Sequence, residues 1–257
     1  MKRFKNFIKE EAEEMVNSLD MNFINHALKI TSFNLTSADF TKTTHKKEIQ
    51  YLFNMHFFPK FDVTKTVDDI NIDRLNSLIA NLKREDMNMF KKLHGYNLKG
   101  VGPGEATLYF LINTAKLGGG SSAGVDIIVG SVGYEVKAVK VSNGIASDFK
   151  LGGTVPLSEV MTQLNDLRLK LGLGGSKTEM SGSITDMMRQ KAPGEFNAIE
   201  SRYAKLAAEY FKGHKVIFIN NGTGPSIGNI EAIKYVQQSE IMIERVTSGT
   251  VKPKVKL

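Results

Sequence analysis

Residues 125–140, "VDIIVGSVGYEVKAVK", constrain this chain more than any other stretch. Two mostly apolar runs flank a glycine-bearing turn, and strand side chains alternate between opposite faces. With the turn centred on Ser131 and Val132, Gly130 faces Gly133, Ile128 faces Glu135 and Asp126 faces Lys137. One face then carries Val125, Ile127, Val129, Tyr134, Val136 and Ala138 and is expected to seat on a core, with Tyr134 as packing. The other face carries Asp126, Glu135 and Lys137. A slip of one residue would exchange the two sets, so this register is strongly specified.

The polar trio has a chemical use. Two neighbouring carboxylates repel and favour a cation, and Mg2+ prefers carboxylate, carbonyl and water oxygens. Such an ion polarises a phosphodiester and lowers the pKa of a bound water. Lys137 could orient or deprotonate that water, or stabilise charge developing on phosphate. The Val136 carbonyl is a candidate further ligand. Glu105 is a candidate third carboxylate, although an acid near a helix start is also explained by the helix dipole. The competing explanation is a solvent-facing cross-strand charge pair.

The rest of the chain frames this segment. Residues 68–94 have helical periodicity, with Leu75, Leu78, Ile79 and Leu82, then Met89, Phe90 and Leu93, on the apolar side. Residues 2–16 form an amphipathic stripe, and 20–58 suggest further helices ending before Pro59. From residue 100 the pattern runs helix, two strands, a helix after Pro156, a Gly/Ser-rich loop at 172–194 with a short helix, a long helix ending near Gly213, a buried strand "KVIFINN" and a terminal hairpin. The expectation is an α/β fold, a central mixed sheet flanked by helices, with an N-terminal helical region. The expected segments are 1–19, 20–99 and an α/β domain over 100–257.

Several chemistries are excluded or set aside. With no cysteine there are no disulfides or thiolate sites. No two of the five histidines are spaced as a helical metal pair. "GLGGSKT" lacks the glycine before lysine that a phosphate loop requires. The apolar runs are too short to span a bilayer and no hydrophobic signal segment opens the chain, so neither a membrane protein nor a secreted one is expected. A net charge of +7 suits an anionic partner without identifying one.

Glu105, then Asp126, then Glu135-Val136-Lys137 resembles the PD-(D/E)xK nuclease superfamily, the restriction-endonuclease-like fold. There an acidic helix precedes a hairpin carrying an Asp and an acid-x-Lys triplet, and members usually cut DNA with Mg2+. The resemblance implies that Asp126 and Glu135 bind metal, with Glu105 and the Val136 carbonyl as further ligands. It implies that Lys137 serves the attacking water and that Gln163 in the following helix supports the site. Val125 stands where the usual proline would be. The match covers about residues 100–220, and Mn2+ is the alternative ion. Lys140, Lys150, Arg168, Lys170 and Lys177 would contact DNA phosphates, giving salt-sensitive binding.

A second resemblance concerns "MKRFKNFIKEEAEE", which is similar to capsid-targeting segments of internal head proteins in tailed phages. Cleavage after Ile8-Lys9-Glu10 would remove four basic residues and one acidic residue, lowering the net charge from +7 to +4. Together the resemblances imply a metal-dependent deoxyribonuclease, packaged in a phage head or acting in the host cytoplasm. Its partners would be DNA and a capsid or prohead scaffold, and a homodimer is compatible with this. The alternative is a noncatalytic virion or DNA-binding protein on the same fold.

Overall fold

The computed structural model describes residues 67–85, 103–112, 114–117, 125–152, 156–220 and 228–257. The readings of segments 2–16 and 20–58, Met89, Phe90 and Leu93 lie outside the described residues. The chain divides into two compact units, Met1–Ser131 and Val132–Leu257.

In the first unit, helix α1 (Ile72–Glu85) buries Leu75, Leu78 and Ile79, spaced three and four apart as the periodicity predicts. Asn71 caps it, its Oδ1 accepting the Arg74 N–H at 3.1 Å. Helix α2 (Pro103–Leu111) opens on a proline, which lacks the N–H that a first helical position leaves unpaired anyway. Leu108 and Leu111 are buried. The Val67 N–H donates to the Leu111 carbonyl at 2.9 Å, and Thr114 Oγ1 donates to the Asp68 carbonyl at 2.9 Å. Strand β1 (Lys116–Leu117) pairs antiparallel with β2 (Ile127–Val129), whose Ile127 is fully buried. The turn after β2 is Gly130–Ser131, one residue earlier than the alternation suggests. Gly130 at φ +62° sets that position, because a left-handed backbone favours glycine.

The second unit is an α/β layer with a mixed sheet. Its long strand β3 (Val132–Ser142) turns through Asn143 and Gly144, at φ +51° and +69°, into the antiparallel β4 (Ile145–Ser147). Two consecutive positive φ values suit the right-handed twist of a hairpin, and Asn-Gly tolerates them best. Helices α3 (Ser158–Lys170), α4 (Gly182–Lys191) and α5 (Pro193–Tyr210) follow. The expected short helix in the Gly/Ser-rich stretch is thus a ten-residue helix. Met188 is buried, and the buried Thr185 hydroxyl lies 2.7 Å from the Glu244 carbonyl.

Strand β5 (Lys215–Asn220) then runs parallel to β3, from Tyr134 opposite Lys215 to Val139 opposite Asn220. A parallel neighbour needs a long crossover, which the three helices supply. β6 (Ile230–Lys234) pairs with β5, and β7 (Ile241–Thr247) and β8 (Thr250–Lys256) form the terminal hairpin. The six described strands of this unit lie in the order β6-β5-β3-β4-β8-β7. Among the described residues no helix is long and apolar enough to cross a membrane.

One expectation about faces is corrected. Val139, on the same face of β3 as Glu135 and Lys137, belongs to the main apolar cluster with Val160, Leu164, Phe196, Val216 and Phe218. The polar pair therefore lies on a packed face, whereas Ala138, expected in the core, is exposed. Parallel pairing with a crossover places helices over the strand, so the polar residues of β3 meet packing instead of water.

Asp148, at φ +62° just past β4, gathers cations on the other face. Its carboxylate accepts from Lys252 at 2.6 Å, lies 2.9 Å from Lys140 Nζ and bonds Arg245, while its N–H donates to Glu244 at 2.8 Å. Hydrogen bonds from Lys140 and Lys252 hold its pKa down to about 2. A depressed carboxylate pKa contributes stability above the ordinary value near 4, and that contribution is lost as pH falls toward about 2. Asp148→Asn is expected to lower unfolding free energy by about 1 kcal/mol at pH 7, after screening of this half-exposed network. The difference from wild type, read from urea midpoints, should shrink between pH 4 and pH 2.

Candidate functional site

Parallel pairing sets Glu135 beside Val216 and Lys137 beside Phe218, two fully buried residues of β5. Glu135 is only 3% exposed. A buried carboxylate needs a counter-charge and hydrogen-bond donors. Lys137, two residues on and so on the same face, supplies the charge: Nζ lies 2.5 Å from Glu135 Oε1. The Tyr210 hydroxyl, at the end of α5, donates to the same oxygen. Lys137 Nζ also donates to the Tyr210 oxygen at 3.1 Å and sits 5.3 Å from the ring centroid. Three side chains from two elements thus close a compact polar triangle. Glu135 Oε2 accepts no hydrogen bond from the described residues.

Two further residues shape this triangle. Gly152 passes so close to Tyr210 that a Cβ there would stand 2.7 Å from ring atom Cε2. His214, at the entrance to β5, is 6% exposed, and its buried Nε2 has no hydrogen-bond partner.

Burial and charge act together on the ionisable groups. Burial disfavours the Lys137 charge, but attraction and hydrogen bonding by Glu135 and Tyr210 outweigh it and hold its pKa above the ordinary value. Burial, opposed by Lys137 and reinforced by Glu135, pushes the Tyr210 phenol up to about 12. Burial lowers the His214 pKa.

The other expected site residues are distributed as follows. Glu105 lies in the first turn of α2 and Asp126 just before β2, both half-buried and both in the first unit. Val136 is buried and its side chain alternates to the face opposite Glu135. Gln163, midway along α3, has a buried Oε1 with no hydrogen-bond partner. Among the described residues no three Asp, Glu or His side chains gather as a ready metal cage. Mg2+ nevertheless keeps several waters and uses one or two carboxylates with substrate phosphates. A carboxylate with one unshared oxygen is the right kind of donor for it.

The expected DNA contacts differ among themselves. Arg168 is buried, its donors taken by Asn165 and by the Leu173 and Gly174 carbonyls, so it closes the end of α3. Lys170 pairs with Glu195 at 2.6 Å and Lys140 with Asp148. Lys177 donates to Thr162 at 3.0 Å, and Lys150 is exposed.

Tyr210, His214 and Gly152 escaped the sequence reading. Tyr210 is 75 residues from Glu135, so nothing local couples them. The one available signal was helical spacing, since Tyr203, Ala207 and Tyr210 recur at three and four residues. Comparison with protein-family models, curated proteins and solved structures gave no match.

A phenol whose pKa rises on folding adds stability below the unfolded value near 10, and that contribution is lost as pH climbs toward about 12. Wild type should therefore show a tyrosine ionising at about pH 12 in an absorbance titration, a step absent in Tyr210→Phe, while the more deeply buried Tyr203 ionises later still. Gly152→Ala should push the ring off Glu135 and return that late step toward 10. A late step unchanged by both substitutions would show that Tyr210 is not the shielded phenol.

Proposed function

We propose that this chain is a metal-dependent deoxyribonuclease with a restriction-endonuclease-like fold, hydrolysing phosphodiester bonds at the Glu135–Lys137 site. The observation that carries the reading is the buried acid-x-Lys ion pair on one face of β3. Burying two charges is costly unless they are paired and hydrogen-bonded, and replacing such a pair by apolar residues is often neutral or stabilising. Its presence among Val139, Val216 and Phe218 therefore favours chemistry over packing. The element order supports the same reading: a helix bearing Glu105, four strands, three helices of which the first bears Gln163, then the parallel β5.

Glu135 and the Val136 carbonyl are the second unit's candidate ligands for the metal, Mg2+ or Mn2+. When bound, the ion supplies positive charge that polarises the phosphodiester and acidifies a water. Lys137 Nζ already donates to Glu135 and Tyr210, which leaves one proton to offer a phosphate oxygen as charge develops there. Tyr210 fixes Glu135 through Oε1 and so leaves Oε2 oriented. Gln163 Oε1, without a hydrogen-bond partner, can accept from water or substrate. Lys150, Lys170 and Lys177 would contact the DNA backbone. The N-terminal segment, outside the described residues, would address the protein to a phage head.

The noncatalytic reading, a virion or DNA-binding protein, is favoured by one observation. Glu135 Oε1 is already shared by Lys137 and Tyr210, as in a closed structural pair. Incubating the full chain, and a form starting at Glu11, with supercoiled, linear and single-stranded DNA in Mg2+, Mn2+ or EDTA separates the two. Metal-dependent cutting should fall by about a hundredfold or more in Asp126→Ala, Glu135→Gln and Lys137→Ala. Wild type that binds DNA yet leaves it intact under every condition would support the noncatalytic protein.

A further inference from the structure

We infer that His214 is a protein ligand for the divalent cation of the Glu135 site, offering Nε2 beside Glu135 Oε2. This rests on the hydrolytic reading of that site and deepens it by naming the class of cation.

Three observations carry the inference. First, His214 is more than nine-tenths buried, and its Nε2 meets no donor or acceptor. A buried polar atom left unpaired costs free energy, so an orphan on this scale calls for a partner that binds there. Secondly, a neutral imidazole keeps a lone pair on one ring nitrogen, and an Nε2 without a hydrogen-bond partner is placed to present it to a cation. Thirdly, His214 stands two residues before Val216, the β5 neighbour of Glu135, and lies within electrostatic reach of Glu135. Glu135 Oε2 accepts nothing from the described residues. An imidazole nitrogen and a carboxylate oxygen, both without hydrogen-bond partners among the described residues, thus face one strand pair.

The donor set selects the ion. Carboxylates, carbonyls and water suit Mg2+, whereas an imidazole shifts preference toward first-row ions that accept nitrogen, such as Co2+ and Zn2+. His214 would therefore give this site tighter binding of Co2+ than of Mg2+.

The test is isothermal titration of the full chain with Co2+ and with Mg2+, in wild type, His214→Gln and Glu135→Gln. Wild type should bind Co2+ more tightly than Mg2+. His214→Gln should weaken Co2+ by about tenfold or more and leave Mg2+ nearly unchanged. A second measurement uses wild type alone: Co2+ should broaden the His214 ring resonances, identified as those missing in His214→Gln spectra. No Co2+ binding by wild type, equal Co2+ affinity in wild type and His214→Gln, or a ring left sharp at saturation would overturn the assignment. Failure of the two readings is distinguishable. His214-dependent Co2+ binding in a protein that cuts no DNA removes the hydrolytic reading and keeps the cation site. Mg2+-dependent cutting with Co2+ affinity indifferent to His214 does the reverse.

Discussion

A carboxylate cannot be buried beneath helices without a counter-charge and donors, and the centre of the second unit is organised around that constraint. Glu135 lies between the sheet and its helical cover, so Lys137 must turn to the same face and Tyr210 must reach it from α5. The pairing constrains three elements at once. β3 must hold its register against β5, α5 must end where its last side chain meets the carboxylate, and the chain at 152 must carry no side chain. A one-residue slip of β3 would send Glu135 and Lys137 to the opposite face and leave the phenol over a different residue.

The arrangement separates two kinds of polar interaction within one sheet. On the helix-covered face, Glu135 and Lys137 are buried and paired in one triangle with Tyr210. On the other face, Asp148 gathers Lys140, Arg245 and Lys252 in a wetter network where solvent screens each pair. The first kind restricts geometry, because a buried ion that loses its partner is strongly penalised. The second ties β3, β4, β7 and β8 together at less energetic risk. Arg168 illustrates a further use of positive charge. In sequence it sits among basic residues suited to DNA, but its guanidinium closes the end of a helix by binding carbonyls. Net charge therefore overstates the number of cations available to an anionic partner.

Much of the local structure was legible. The stripe of Leu75, Leu78 and Ile79 became the buried side of α1, and "KVIFIN" became a buried strand, because burial follows apolar periodicity. The terminal hairpin followed from apolar runs around Ser248 and Gly249, which adopt φ +49° and +69°. The pairing of Glu135 with Lys137 was also available, since residues two apart in a strand share a face. The environment of that face was not. Alternation distinguishes two faces but does not say which one a distant helix will cover, so Ala138 was expected inside and is exposed.

What the sequence by itself determined was therefore periodic and local: which segments are helix or strand, where glycine permits a turn, and that an acid and a lysine stand side by side. Those properties depend on neighbours within a few residues, and the chain carries them wherever it folds. Only the tertiary structure decided that α5 delivers Tyr210 to a carboxylate 75 residues away, that Gly152 must clear its ring, and that the His214 imidazole ends buried with one nitrogen unpartnered. These depend on the crossover that brings β5 alongside β3. Such a crossover is set by the packing of whole elements, which no short window of sequence contains.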